Sequence, residues 1–386
     1  MYRLKGRLHH FCGAPGRGMT KLLIIFAIAL FLANKSEKYT RAVVASGHIY
    51  RAGGDTAFIL LVVALSLFTG LRTSYNDTWN YISGFRKMPL LVDFLSDPKN
   101  LSIFKNPLFY GYLCFLRSIW NNAQVMIFTT AVFTQVCFLR FFKRYSQHFT
   151  FTIFLYFTLG TFCLSMGAIK QVCAMAVITL AIPYIEKRRW VRYFATVFVA
   201  MLIHTYAMFF LVLPIFTQRP WKQFTYLVMI VLVLVLNNFQ DVIGEFMDQA
   251  NELGKSLDET EVFDDHTVNL LRLAVYVVPP LLSFVFMRWV FHGSGRMEHL
   301  LVHMSIISLA FMSLGTQSGA NMFGRMGNYF ELGTLVCLPW MLKQTFSRDS
   351  GKLVMAAAAV CFFGFFVYQN MLAGNFDQEY WMMQLW

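Results

Sequence analysis

From residue 20 to residue 373 the chain returns repeatedly to long apolar runs, and no other feature restricts its fold as tightly. The runs lie near 20–34, 56–71, 107–119, 123–142, 149–166, 168–185, 191–216, 222–239, 268–291, 299–315, 327–345 and 352–373. A bilayer accepts helices and closed barrels, because an open strand edge facing lipid leaves its N–H and C=O groups without partners. A crossing helix needs about 20 residues. The runs therefore predict an all-α fold: a polytopic transmembrane helix bundle of about ten to twelve membrane helices. Composition agrees, with 57% hydrophobic and 14% charged residues, against roughly 25% charge in soluble domains. Residues 1–18 are basic and glycine-rich without period, and read as a disordered extension. Residues 19–386 read as one polytopic membrane domain. The loops 72–106 and 240–267 are candidate soluble excursions. A signal peptide at 19–33 is the rival reading, but no A-x-A-like cleavage site follows it and many further spans do.

Charge predicts the orientation. The chain carries a net +13, and cytoplasmic loops collect Lys and Arg. "KRYSQH" at 143–148 and "EKRRWVR" at 186–192 are dense basic loops two spans apart, so both are expected inside. The turn "LSMGAIKQ" between those spans then falls outside, together with Arg72. The loop 34–55, with four cations, is expected inside. For Tyr145 to lie inside, only one of 107–119 and 123–142 can cross, and the shorter, 107–119, is expected to lie flat or re-enter. A polar break at His204–Thr205 and the pair Pro279–Pro280 mark possible broken helices and leave the topology after 216 open. The seven cysteines form no C-x-x-C pair and read as small buried apolar residues. No soluble basic face suits a nucleic acid.

Cations at the outer edge need a reason, since a charge at a helix centre costs about 2.5–3.5 kcal/mol on insertion scales. Four clusters stand out. "GLRTSYNDTWNY" crowds Arg72, Tyr75, Asn76, Asp77 and Tyr81 at a helix end; its bland reading is an interfacial belt with an Arg72–Asp77 pair. Lys170 with Gln171 sits between two spans, where a lysine can also simply snorkel. His204 in "MLIHTYAMFF" is either a satisfied core histidine or a general base. "SGANMFGRMGNYFELG" supplies Arg325, Asn328, Tyr329 and Glu331 among glycines; its bland reading is a turn with Arg325 bound to Glu331. Asp264, Asp265 and His266 read as a solvated loop cluster. No Walker loop, G-x-S-x-G, H-E-x-x-H or metal-spaced Cys/His set is present. Three cations and a histidine beside aromatics suit a diphosphate and a sugar: Arg offers a fork, Lys a point charge, and Tyr75, Trp79, Tyr81 and Phe85 offer stacking faces. Glycosyl transfer, transport of a lipid-linked glycan and a non-catalytic assembly scaffold are the three classes that fit.

The same residues carry a family resemblance. "LFTGLRTSYNDTWNYISGF", "NPLFYGYLCFL", "MGAIKQVCAMAV", "VFVAMLIHTYAMFFLVLPIF" and "GRMGNYF" follow one another as the motifs of EpsG-like, Wzy-type exopolysaccharide polymerases do, over roughly residues 56–345. The resemblance implies a GT-C-like glycosyltransferase of the bacterial cytoplasmic (inner) membrane. It implies joining of undecaprenyl-diphosphate-linked oligosaccharide repeats at the outer face into a surface polysaccharide of the exopolysaccharide, capsule or O-antigen kind. It implies membrane lipid, a chain-length regulator and a flippase as partners, and neither cofactor nor metal. It points to His204, Asp77 and Arg72 as catalytic. It points to Arg72, Tyr75, Lys170, Gln171, Arg325, Asn328 and Tyr329 as substrate-binding. Lys170 stands where the family pattern has arginine, which removes the bidentate fork.

Overall fold

The structure, a computed structural model, describes residues 17–45, 48–53, 55–223, 268–317 and 321–372, with scattered residues at 225–234 and 376–382. Residues 1–16, the loop 240–267 with Asp264–His266, and most of the run 222–239 lie outside the described residues.

The apolar runs become helices. They are α1 (Arg17–Tyr39), α2 (Asp55–Gly70), α3 (Thr78–Lys87), α4 (Leu91–Ser96), α5 (Pro107–Ile119), α6 (Ala123–Tyr145), α7 (Phe149–Thr158), α8 (Thr161–Gly167), α9 (Ile169–Glu186) and α10 (Trp190–Ile203). A 3-10 helix (Thr205–Thr217) follows, then α11 (Leu270–Val285), α12 (Met287–Val290), α13 (Arg296–Leu314), α14 (Asn321–Thr345) and α15 (Arg348–Val367). Among the described residues five helices are long and apolar enough to cross a bilayer: Gly18–Tyr39, Ala123–Tyr145, Ile169–Glu186, Arg296–Leu314 and Asp349–Met371. The α7–α8 pair makes a sixth, bent by 55° at Gly160, whose φ of +91° favours a residue without Cβ. Helices α2, α10, α11 and the 3-10 helix are shorter apolar segments. Among the described residues the strands form two short antiparallel pairs. Strand β1 (Thr40–Ala45) pairs antiparallel with β2 (His48–Gly53), and β3 (Arg72–Ser74) with β4 (Trp381–Met382).

Polar contacts sort the bundle into two ends. At one end Lys143 meets Asp55 at 3.2 Å, and Arg144 and Tyr145 reach Glu186 at 2.9 and 3.0 Å. Glu37 takes the backbone N–H and hydroxyl of Thr150 at 2.8 and 2.6 Å. This end thus collects the C-termini of α1, α6 and α9 and the N-termini of α2 and α7. At the other end Gln124 donates to the Gly70 carbonyl at 2.6 Å, and Gln171 to that of Arg325 at 2.8 Å. Residues 72–106, read as a soluble excursion, fold there as a cap of short helices. Ile82 and Phe85 on α3 pack with Phe109, Leu113 and Leu116 on α5 and with Met126 and Ile127 on α6. The 13 residues of α5 span about 20 Å, short of the roughly 30 Å hydrocarbon core.

Of the two anticipated breaks, one occurs. The chain stops helical winding at His204, whose φ and ψ of −152° and 116° are extended. It then doubles back, because the Tyr193 hydroxyl near the start of α10 reaches the Phe210 carbonyl at 2.5 Å. A straight continuation would separate those residues by roughly 25–30 Å. Pro279 and Pro280, by contrast, sit inside a continuous α11, and the interruption falls later, at Phe286. The glycine-rich stretch is not a turn in its described part but the start of α14. Its glycines let α14 lie against α13: a Cβ on Gly333 would stand 2.5 Å from the Met304 Cβ, and one on Gly327 3.1 Å from the Ser308 carbonyl. Close backbone approach through small residues is how helices associate where lipid supplies no hydrophobic drive.

Arg72 is 1% exposed. Its Nε donates to the Thr78 hydroxyl at 3.2 Å, one Nη to the Thr69 carbonyl, and the other to the Met166 carbonyl at 2.7 Å. Two helix ends, α2 and α8, thereby give carbonyls to one fork. Burial draws the guanidinium down to about 10, which leaves it charged at neutral pH. Arg72→Lys keeps the charge and loses the fork. It is expected to lower stability by about 1.5–3 kcal/mol for each charged hydrogen bond lost, read as an earlier thermal midpoint in detergent. An unchanged midpoint would show that the fork is not structural.

Candidate active site

A cavity of about 560 Å³ opens between the cap and the bundle. Four helices point their N-terminal ends at it. Asp77 is the N-cap of α3, Asn106 that of α5, Lys170 and Gln171 lie in the first turn of α9, and Met322 and Arg325 near the start of α14. Helix N-termini carry unpaired N–H groups and a partial positive charge, so their convergence favours an anion.

Charged side chains reinforce that preference. Lys170 and Arg325 both line the cavity, and among the described residues neither has a carboxylate within ion-pair distance. The Lys170 ammonium stands 5.6 Å from the centre of the Tyr110 ring. Its backbone N–H donates to the Tyr81 hydroxyl at 3.3 Å. Asp77 caps no backbone group with its side chain. Burial pushes its carboxyl above the usual range, and the positive charge of Arg325 pulls it back. The cavity thus holds two cations, one carboxylate and a histidine.

His204 enters from the apex of the α10 hairpin. Its Nδ1 shares a hydrogen bond of 2.8 Å with the Tyr329 hydroxyl, and Tyr206 meets the ring edge-on at 4.8 Å. With the proton on Nδ1 and given to the Tyr329 oxygen, the basic lone pair of a neutral ring lies on Nε2. Tyr329 is 1% exposed and is absent from the cavity wall.

The structure therefore brings together five of the expected residues, Asp77, Lys170, Gln171, His204 and Arg325. Gln171 spends its amide on the Arg325 carbonyl, holding the start of α14 against α9. Four others stand elsewhere. Arg72 is the strut described above. Tyr75 turns its ring to Phe376 and Tyr380, at 5.2 and 6.4 Å. Asn328 accepts from Arg272 at 3.0 Å, and Tyr329 backs His204. The Arg72–Asp77 and Arg325–Glu331 pairings are replaced: Glu331 accepts instead from the Thr161 hydroxyl at 2.7 Å. Asn80, Asn106, Tyr110 and Tyr206 also line the cavity. Sequence reasoning passed over Asn106, although an asparagine before a proline at a helix start was in view.

Asn76 adopts φ +44° on the cavity rim, and a Cβ on Gly167 would come within 2.9 Å of its amide nitrogen. Gly167→Ala is expected to displace Asn76 and to cost about 1–3 kcal/mol as an overpacked contact, measured as thermal stability in detergent. No loss would show that the rim yields freely.

No curated protein and no solved structure matches the chain. The family model described as the EpsG family matches residues 55–384, from the start of α2 to just beyond β4. Both the cap and every wall of the cavity fall within that match, and the chain belongs to the EpsG family.

Proposed function

We propose that the protein is a polymerase that joins undecaprenyl-diphosphate-linked oligosaccharide repeats into a surface polysaccharide at the outer face of the bacterial cytoplasmic membrane. Family membership supports a polysaccharide-polymerase-like role. One observation carries the chemistry: Lys170 and Arg325, among the described residues without a carboxylate within ion-pair distance, share with His204 a cavity walled by four helix N-termini. The cations and helix ends hold the diphosphate of the donor. His204 Nε2 takes the proton of the acceptor hydroxyl as its oxygen bonds to the donor's anomeric carbon. The bond from that carbon to the diphosphate breaks, and the lipid diphosphate leaves with the electron pair, its charge met by Lys170 and Arg325. Asp77 orders Arg325 and accepts sugar hydroxyls. Arg72 supports the rim and does not touch substrate.

The side of the membrane follows from charge. Lys143, Arg144, Lys187, Arg188, Arg189 and Arg192 gather at the end opposite the cavity, and that end belongs inside by the positive-inside rule. A transporter of the same lipid would want cations leading from one face to the other. The cavity cations stand at one end only, which favours the enzyme.

Purified protein in detergent, given lipid-linked repeat units, is expected to form polymer; absence of polymer from active preparations would remove the reading. His204→Ala should lower turnover by about 10²-fold or more, the range of a general base, while lipid-linked units accumulate. Lys170→Gln and Arg325→Gln should each lower kcat/KM by at least about tenfold, the loss of one charge-assisted contact. An Arg325→Cys protein labelled by a membrane-impermeant thiol reagent from the cytoplasmic side alone would reverse the orientation.

A further inference from the structure

The α10 hairpin poses a problem that the cap solves. When winding stops at His204, the N–H of Thr205 opens a new helix and has no acceptor within it. Thr205 is 5% exposed, so its N–H and hydroxyl are largely withdrawn from bulk solvent even though the residue borders the cavity. Asn106, some hundred residues earlier and in the cap, serves both. Its Oδ1 accepts from the Thr205 N–H at 3.0 Å and from the Thr205 hydroxyl at 3.2 Å. The same hydroxyl lies 3.4 Å from the Ile103 carbonyl.

The residue type fits the task. Asn106 has φ +51°, a left-handed conformation in which asparagine is enriched. Its backbone is held on both sides, by its own N–H to the Ile103 carbonyl at 3.3 Å and by the Tyr110 N–H to its carbonyl at 3.2 Å. The side chain is therefore aimed before the hairpin arrives. Two anchors then bracket His204: Asn106 on the next residue along the chain, and Tyr329 on the ring itself.

We propose that Asn106 is a positioning residue, a latch that joins the cap to the hairpin apex and sets where the His204 imidazole stands in the cavity. The base role of His204 belongs to the reading above; the latch itself rests on geometry alone. Seating of the cap, which supplies Asp77, Asn80 and Tyr81 to the cavity, and placement of the base become one event.

The full chain in proteoliposomes, with Asn106→Leu and Asn106→Asp compared, tests this. Leucine has similar bulk and cannot accept; aspartate accepts as asparagine does. Amide hydrogen exchange at 204–207 is expected to quicken about tenfold or more in the leucine variant and to stay near the parent in the aspartate variant. Turnover on lipid-linked repeat units is expected to fall about 10-fold to 10²-fold in kcat for leucine, the scale of a misplaced catalytic group, with KM within about threefold. Aspartate should recover most of that kcat. Unchanged exchange in the leucine variant would overturn the latch. So would equal loss of kcat in both variants with normal exchange, since that outcome makes the amide nitrogen a ligand contact. If the leucine variant does not accumulate, Thr205→Val removes the hydroxyl contact alone and must shift exchange and kcat in the same direction, less far; no shift overturns the proposal. If the parent forms no polymer, the polymerase reading fails while the exchange measurement still decides the latch.

Discussion

A helix that stops inside a bundle leaves backbone donors without intrahelical acceptors, and this protein is arranged around one such stop. The turn at His204 is affordable because a side chain from a separate segment accepts from the first two donors beyond it. The same turn carries the imidazole to the mouth of the cavity. A straight helix through residue 204 would pair the Thr205 N–H within itself. The bend brings His204 to the cavity, and Asn106 accepts from Thr205 on the far side of that bend.

Three cations near one end of the bundle are used in two different ways. The Arg72 fork is spent on carbonyls at helix C-terminal ends and on one hydroxyl, where partial negative charge is plentiful. Lys170 and Arg325 stand instead near helix N-termini, where partial charge has their own sign. A cation in that position is held by its neighbours' geometry and is available to a ligand's negative charge. The distinction comes from which end of a helix each cation meets, and not from residue type.

Much of this was legible in the sequence. The run 107–119 coincides with α5, and the polar break at His204–Thr205 is the hairpin apex, because a bilayer leaves hydropathy few ways to mislead. Asp77, Lys170, His204 and Arg325 stood out as polar residues at apolar boundaries, and the structure places all four on one cavity. The role of Arg72 was not legible. Its acceptors are backbone carbonyls of Thr69 and Met166, and which helix end lies within reach is a property of packing. Glu331 was matched to the nearest cation in sequence, on the same helix, whereas its carboxylate accepts from Thr161 on α8. Pro279 and Pro280 suggested a break, yet α11 carries them without interruption. For Arg72 and Glu331 a neighbour that the sequence could not supply, Met166 and Thr161, comes from a distant part of the chain.

The pairing of β3 with β4 shows how far that distance extends. Thr73 donates to the Trp381 carbonyl across 308 positions of sequence, and the Tyr380 hydroxyl closes on the Phe68 carbonyl at the end of α2. Strand β3 leads directly into Asn76 and Asp77. At synthesis rates of about 5–20 residues per second, the rim made early waits roughly 15–60 s for its partner strand. Through that interval β3, which leads into the Asn76 and Asp77 rim, lacks the strand that pairs with it. The support behind the rim is thus completed only after nearly all the helices have been made.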